Sequence, residues 1–257
     1  MTTQKMLSEL RKTTNVFGMI KDGDRIAVGL SGGKDSLAML YLLHRYAMFS
    51  PQRFSLVAIT IDMGLGSDFS GLTSFCKSIN TEHVIVATEI GKIVFDERKE
   101  KNPCSLCANM RRGALVNSAS ELKCNKLALG HNADDLIETF FLSMSFEGRL
   151  SALPPVTYLE DKNISIIRPL ILTFEKNVAA YATRFPILKN PCPAAHHTNR
   201  ESIKKLLSAV GKDVPSLKQR ILSAIVSPDR YNLYDRYEFF DKFGNAVNRK
   251  QTQLFPN

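Results

Sequence analysis

The chain has 257 residues, 44% of them hydrophobic and 23% charged, and a formal net charge of +9. That length supports a full core in one α/β domain with an appendage, and the composition excludes a collagen-like, low-complexity or disordered chain. No uncharged apolar run approaches the roughly 20 residues of a membrane span, and the polar, charged stretch from Met1 to Asn15 lacks the apolar core of a signal peptide, so a cytoplasmic protein with reduced thiols and no membrane partner is expected.

Periodicity predicts an opening helix over Gln4 to Phe17, with Met6, Leu7 and Leu10 on one face. Arg25 to Leu30 reads as a buried strand, followed by a glycine loop and a helix from Lys34 to Tyr46. Phe54 to Asp62 is a second strand. Phe69, Leu72, Phe75, Cys76 and Ile79 then share a helical face, and His83 to Ala87 forms a third strand. A basic loop carries Cys104 and Cys107 and leads into a helix marked by Met110, Ala114, Leu115, Ala119 and Leu122. A strand at Lys126 to Gly130, a helix from Asp134 to Phe146, a strand at Ile164 to Ile167 and a helix near Phe174 to Phe185 complete the alternation. Strands alternating with helices at this spacing predict a doubly wound parallel α/β sheet, whose strand-to-helix loops gather at the ligand-binding edge.

The tail differs. Thr198 to Glu201 has the form of a capping box, and Ile203, Leu206, Leu207 and Val210 follow at helical spacing up to Gly211. Pro215 starts a second helix with Leu217, Ile221 and Ile225, and beyond Pro228 the chain is aromatic and charged without clear period. The expected division is an N-terminal helix (1–20), an α/β domain (21–190) and a small basic helical C-terminal appendage (191–257).

Charge is uneven. Between Lys189 and Lys250 there are twelve Lys or Arg against six Asp or Glu, and Arg98, Lys99, Lys101, Arg111 and Arg112 cluster around the two cysteines. Such fields attract polyanions. On charge alone, a merely solvated basic surface reads equally well.

Three constellations carry chemistry. The first is Leu30-Ser31-Gly32-Gly33-Lys34-Asp35-Ser36, closing a strand and opening a helix. Two glycines let the backbone approach an anion, and the helix start favours phosphate. Ser31 and Ser36 add hydroxyls, Lys34 adds charge, and Asp35 suits magnesium among phosphate oxygens. The loop is neither the usual nucleotide-hydrolase pattern nor the dinucleotide fingerprint; it resembles the PP-loop of ATP pyrophosphatases, which transfer AMP to a substrate oxygen.

The second is a set of thiols. Five cysteines in a cytosolic chain argue for metal or redox chemistry rather than a disulfide framework. Cys104 and Cys107, three apart, can chelate one centre, and Cys192, between Pro191 and Pro193, can close it on one side. A redox pair, or zinc with His196 or His197 as fourth ligand, fits the same spacing. Cys76 and Cys124 read as small hydrophobes. The third constellation is Gly130-His131 at a strand end, with Asp134, Asp135 and Glu138 opening the next helix. Gly130 lets a ligand come close, and Asp134 and Asp135 suit either a magnesium ion or helix capping.

Together with Asn102-Pro-Cys104-Ser-Leu-Cys107-Ala-Asn-Met-Arg-Arg-Gly113, Gly130-His-Asn-Ala-Asp-Asp-Leu-Ile-Glu-Thr139, Ile167-Arg-Pro-Leu170 and Pro191-Cys192-Pro193, these features make the chain resemble the tRNA 2-thiocytidine synthetase family from about Asp22 to Leu207. The resemblance implies ATP, Mg2+ and a [4Fe–4S] cluster on Cys104, Cys107 and Cys192, with one iron free of protein ligand and able to carry sulfide. It implies tRNA as substrate, a cysteine desulfurase or inorganic sulfide as sulfur donor, and a homodimer. Asp135 is the expected catalytic carboxylate of its pair. Arg111, one helical turn after Cys107, stands where related thiolases have lysine, and is assigned to stabilising phosphate or substrate because arginine cannot act as a base. A further family cysteine after Cys192 is replaced here by Pro193-Ala-Ala-His196. The expected activity is an ATP-dependent tRNA sulfurtransferase that adenylates a cytidine carbonyl. Its rivals are a lysidine synthetase-like ligase, which has no use for the three cysteines, a cluster-dependent nucleobase desulfidase, and a non-catalytic metal-bearing RNA-binding or sulfur-carrier module.

Overall fold

The computed structural model describes residues 1–98, 103–188, 192 and 199–227. Six strands form one sheet in the order β3-β2-β1-β4-β6-β5: β1 (Arg25–Gly29), β2 (Ser55–Asp62), β3 (Glu82–Ala87), β4 (Lys126–Ala128), β5 (Val156–Leu159) and β6 (Ile164–Ile167). All neighbours run parallel except β5, which pairs antiparallel with β6. The doubly wound parallel sheet is therefore present, with one antiparallel edge strand that periodicity does not reveal. β5 is only four residues long, follows two prolines and is at most half-buried, so it carries no alternation.

The interior strands are apolar on both faces because both faces are covered. Ile26, Val28, Ala58, Ala128 and Ile167 join the core beneath α1 (Thr3–Val16), α2 (Lys34–Ala47) and α7 (Glu175–Ala182). Their chain neighbours Ala27, Val57, Ile59, Leu127 and Ile166 face the opposite core, against Val116 and Ala119 of α5 (Pro103–Glu121). The period of two along each strand produces the two layers. α2 lies deep, and Leu37, Met39, Leu40, Leu42 and Leu43 are all fully buried. α3 (Ser70–Ser78) packs at the β3 edge.

Three elements differ from the sequence expectation. The stretch expected as a basic loop after β3 begins as a helix, α4 (Ile90–Lys92), and continues as a π-helical turn, Ile93–Arg98, because Ile90 and Val94 bury themselves beside Cys107. Cys104 and Cys107 lie inside the first turns of α5, with Pro103 at its start, rather than in a loop before it. α8 (Asn199–Asp213) runs through Gly211 instead of stopping there. α6 (Ala133–Glu147) fills its expected place, and α9 (Leu217–Ile225) follows Pro215 as expected. α8 docks on Ile137 of α6 through Ile203 and Leu207, and Leu217, Ile221 and Leu222 of α9 pack against the same cluster. Lys99, Lys101, Asn102, Lys189, Pro191, Pro193, His196, His197, Thr198 and everything from Pro228 onward lie outside the described residues.

Candidate active site

The strand order reverses between β1 and β4, where crossovers leave in opposite directions and a crevice opens at the carboxyl ends. A cleft of about 410 Å³ lies there, and Leu30, Ser31, Gly33, Asp35 and Ser36 form one wall. Gly32 has φ +79, a left-handed conformation that suits glycine. Its carbonyl accepts from Leu188 N–H at 3.0 Å. Ser36 Oγ donates to Gly33 C=O (2.9 Å) and stands 3.2 Å from Ser31 Oγ, which accepts from Gly33 N–H (3.3 Å). Gly33 is the N-cap of α2 and supplies no side-chain cap, so the first-turn N–H groups are left for an anion in the cleft.

Gly130 closes the opposite wall. A Cβ there would stand 3.1 Å from Ser36 N and 3.2 Å from the Asp35 carbonyl carbon. Any side chain there would push the loop back by a few tenths of an ångström. His131 follows, lining the cleft with its Nδ1 buried and without a partner among the described residues. Burial, reinforced by the charges of Arg168 and Arg200, lowers its pKa to about 4. It is a neutral ring with an unused nitrogen, not the self-satisfied histidine that a helix-capping role would leave.

The charged loop residues are held from the side. Lys34 Nζ pairs with Asp35 (2.9 Å) and with Glu175 at the start of α7 (2.7 Å). Burial works against the lysine's charge, but these two partners outweigh it and raise the pKa. For Asp35 burial dominates over Lys34 and Asn132, and its pKa rises as well. Asn132 Nδ2 donates to Asp35 Oδ1 (3.2 Å), while its Oδ1 accepts from Asp134 N and Asp135 N; Asp135 Oδ2 accepts from Asn132 N (3.0 Å), completing a capping box. Asp134 and Asp135 do not line the cleft. Asp134 gives one oxygen to Glu175 N–H (2.6 Å) and the other to Lys218. Asp135 is held by the cap and by Arg200 (3.2 Å).

The thiols lie at the cleft's far end. Cys107 is buried with Ile90 and Val94, and its Sγ is 3.7 Å from Met63 Sδ. Burial raises its pKa; the charge of Arg111 works against that, and the nearby thiols Cys192 and Cys104 push it up further. The fold thus brings Cys104 and Cys192 within electrostatic reach of Cys107. Among the described residues no three His, Cys, Asp or Glu side chains converge at metal-binding distance. Cys76 and Cys124 are buried elsewhere in the two main cores. Arg111 and Met63, both neighbours of Cys107, also line the cleft, so these two residues link it to the thiol. Sequence reading missed the contribution of β2 and its loop: Thr60, Met63, Ser67 and Phe69 also face the cleft. The available signal was position, because β2 ends beside β1 at the crevice.

Residues 2–188 match the PP-loop domain family. The tRNA-cytidine(32) 2-sulfurtransferase of Cupriavidus necator is 38% identical over 226 residues, 86% of this chain and 72% of that protein. The protein of the same name from Geobacter sulfurreducens is 36% identical over 228 residues, 86% of this chain and 89% of its own. Among solved structures, the U34-tRNA thiolase NcsA from Methanococcus maripaludis with its [4Fe-4S] cluster superposes with a TM-score of 0.68 at 30% identity, covering 86% of this chain and 76% of that one. The chain belongs to the PP-loop ATP pyrophosphatases and, within them, to the family of the tRNA-cytidine 2-sulfurtransferases.

Proposed function

We propose that this chain is an ATP-dependent tRNA sulfurtransferase that adenylates the carbonyl oxygen of a cytidine and replaces it with sulfur. The observation that carries this reading is Arg111: one guanidinium lines the phosphate-loop cleft and stands near enough to the Cys107 thiol for its charge to oppose the rise in that thiol's pKa. An enzyme that only formed AMP esters would have no reason to place a soft sulfur ligand next to two residues of its nucleotide cleft.

In this reading the α2 N-terminus, Ser31 and Ser36 hold the phosphates of ATP, with Asp35 as the carboxylate nearest a magnesium ion. His131, neutral and unpartnered at Nδ1, offers an acceptor or donor to the nucleotide or base. A cytidine must leave its stack to enter the cleft. Its carbonyl oxygen attacks the α-phosphorus, the bond to the bridging oxygen breaks, and pyrophosphate leaves with that electron pair. Arg111 stabilises the charge developing on the phosphoryl oxygens. The sulfur nucleophile then forms the C–S bond, and AMP departs with the oxygen of the base.

Cys104, Cys107 and Cys192 fit an iron–sulfur cluster by the chemistry of the donor set: three soft ligands, with Cys104 and Cys192 both near enough to shift Cys107, beside the apolar cluster of Ile90 and Val94. When bound, such a cluster supplies sulfur chemistry that no side chain of this protein offers. The basic tail and the Arg98–Arg112 cluster dock tRNA through phosphates, with Cys192 kept as a catalytic candidate, a cysteine desulfurase or sulfide as donor, and a homodimer as assembly; Asp135, expected as the catalytic carboxylate, is outside the cleft and held by the α6 cap and Arg200.

The test is anaerobic purification with iron, sulfide, zinc and EPR analysis of wild type and Cys192→Ala. About four irons per chain with matching sulfide, lost in the variant, is expected, together with ATP-dependent appearance of thiolated cytidine in tRNA. Stoichiometric zinc without iron would overturn the cluster reading.

A further inference from the structure

Three carboxylates crowd the start of α6: Asp134, Asp135 and Glu138. The helix dipole favours the first two, but Glu138 lies one turn in and is only 3% exposed. Each is met by a cation from the appendage. Arg200 of α8 reaches Asp135 (3.2 Å) and Glu138 (3.0 Å) with the same Nη1. Lys204 approaches the other oxygen of Glu138 (3.7 Å), and Lys218 of α9 pairs with Asp134 (2.5 Å). Docking itself is apolar, through Ile203 and Leu207 on Ile137, so the appendage can stay in place without any one of these ion pairs.

The ion pairs lead inward. Asp135 uses its second oxygen to close the capping box on Asn132, and Asn132 Nδ2 reaches Asp35 in the phosphate loop. A hydrogen-bonded path therefore runs from Arg200 through Asp135 and Asn132 to Asp35. A second runs from Lys218 through Asp134 to the Glu175 N–H, and the Glu175 carboxylate holds Lys34. Each helix of the appendage thus ends its path on one of the two charged residues of the loop.

We propose that Arg200 is a positioning residue for the nucleotide site: by fixing Asp135 it holds the α6 cap and the phosphate loop in register, so that ATP binding depends on the docked appendage. Lys218 acts likewise through Asp134 and Glu175. The proposal rests on the reading of the cleft as an ATP site. It also removes Arg200, Lys204 and Lys218 from the charge available to RNA, because the protein itself uses them. Arginine suits the bridging position because Nη1 carries two N–H groups, one for each carboxylate, while Nη2 stands 3.5 Å from Thr139 Oγ1.

The test uses the full chain without RNA. Titration calorimetry with ATP and Mg2+ is run on wild type, Arg200→Gln, Arg200→Lys, Asp135→Asn, the Arg200→Gln/Asp135→Asn double variant and, as a control for lost charge, the exposed Lys12→Gln. Amide hydrogen exchange is followed at residues 34–36 and 132–135. Arg200→Gln should weaken ATP binding several-fold and speed exchange at both segments, Arg200→Lys should recover part of both, and Lys12→Gln should change neither. The double variant should be no worse than either single one, because both cut the same path. Unchanged ATP affinity and exchange in a folded Arg200→Gln protein overturns the proposal. Additive effects in the double variant overturn it too. If Arg200→Gln fails to fold, Lys218→Gln is measured in its place at residues 34 and 175, under the same criteria. Wild type that binds no ATP would instead sink the reading of the cleft, and the exchange data would still decide whether Arg200 holds the loop.

Discussion

Gly130→Ala places one methyl group between the end of β4 and the phosphate loop. Its carbon would meet Ser36 N at 3.1 Å, the Asp35 carbonyl carbon at 3.2 Å and Ser36 Cα at 3.3 Å, so the loop must retreat by a few tenths of an ångström. All three are backbone atoms, which cannot swing aside as a side chain would. Overpacking of this kind costs about 1–3 kcal/mol, and the reduced freedom of the unfolded chain returns about 0.4–1 kcal/mol. The net loss is about 1–2 kcal/mol, a fall in Tm of roughly 4 °C for a domain of this size. Function should suffer more than stability, because the displaced atoms include an N–H facing the phosphate site. Losing one hydrogen bond to a charged group, at about 1.5–3 kcal/mol, weakens ATP binding about tenfold or more. Gly113→Ala is the contrasting variant. It lies within α5 with nothing within 4 Å of a new Cβ, and should gain about 0.5–1 kcal/mol from helix propensity with ATP affinity unchanged. Calorimetric ATP titration and thermal melts check both. A Gly130→Ala protein that melts and binds like wild type would refute the claim that this contact sets the loop.

Two further outcomes follow from the packing and titration. His131 has a native pKa of about 4 against an ordinary 6.5, because burial, Arg168 and Arg200 disfavour its charged form. Between those values the unfolded chain binds more protons at this position than the native one, so His131 costs stability as pH falls from about 6.5 to 4. His131→Gln should therefore be less acid-sensitive than wild type, by up to about 3 kcal/mol at pH 4. Identical urea midpoints across that range would contradict the buried neutral ring. Ile137→Ala removes the fully buried contact of α6 with Ile203 and Leu207, so stability should drop by about 2–4 kcal/mol and limited proteolysis within α8 should accelerate; an unchanged digestion pattern would show that the appendage docks by other means.

What the sequence determined by itself was the five parallel strands of the sheet and the phosphate loop. β1, β2 and β4 are buried on both faces, so their apolar runs are continuous, and Ser31 to Ser36 between a strand and a helix leaves little choice of conformation. The spacing of Cys104 and Cys107 was legible for the same local reason. Tertiary structure alone decided the rest. Asp134 and Asp135 look equally fit for a metal or a cap in one dimension; only the approach of α7, Lys218 and Arg200 commits their oxygens to neighbours. The loop expected around Arg98 winds into a helical turn because Ile90 and Val94 have an apolar partner in Cys107. β5 exists because β6 offers it an edge. The basic tail reads as a surface for polyanions until α6 claims three of its cations. Local order follows from local pattern, whereas the partner of a charge depends on which distant segment the chain brings beside it.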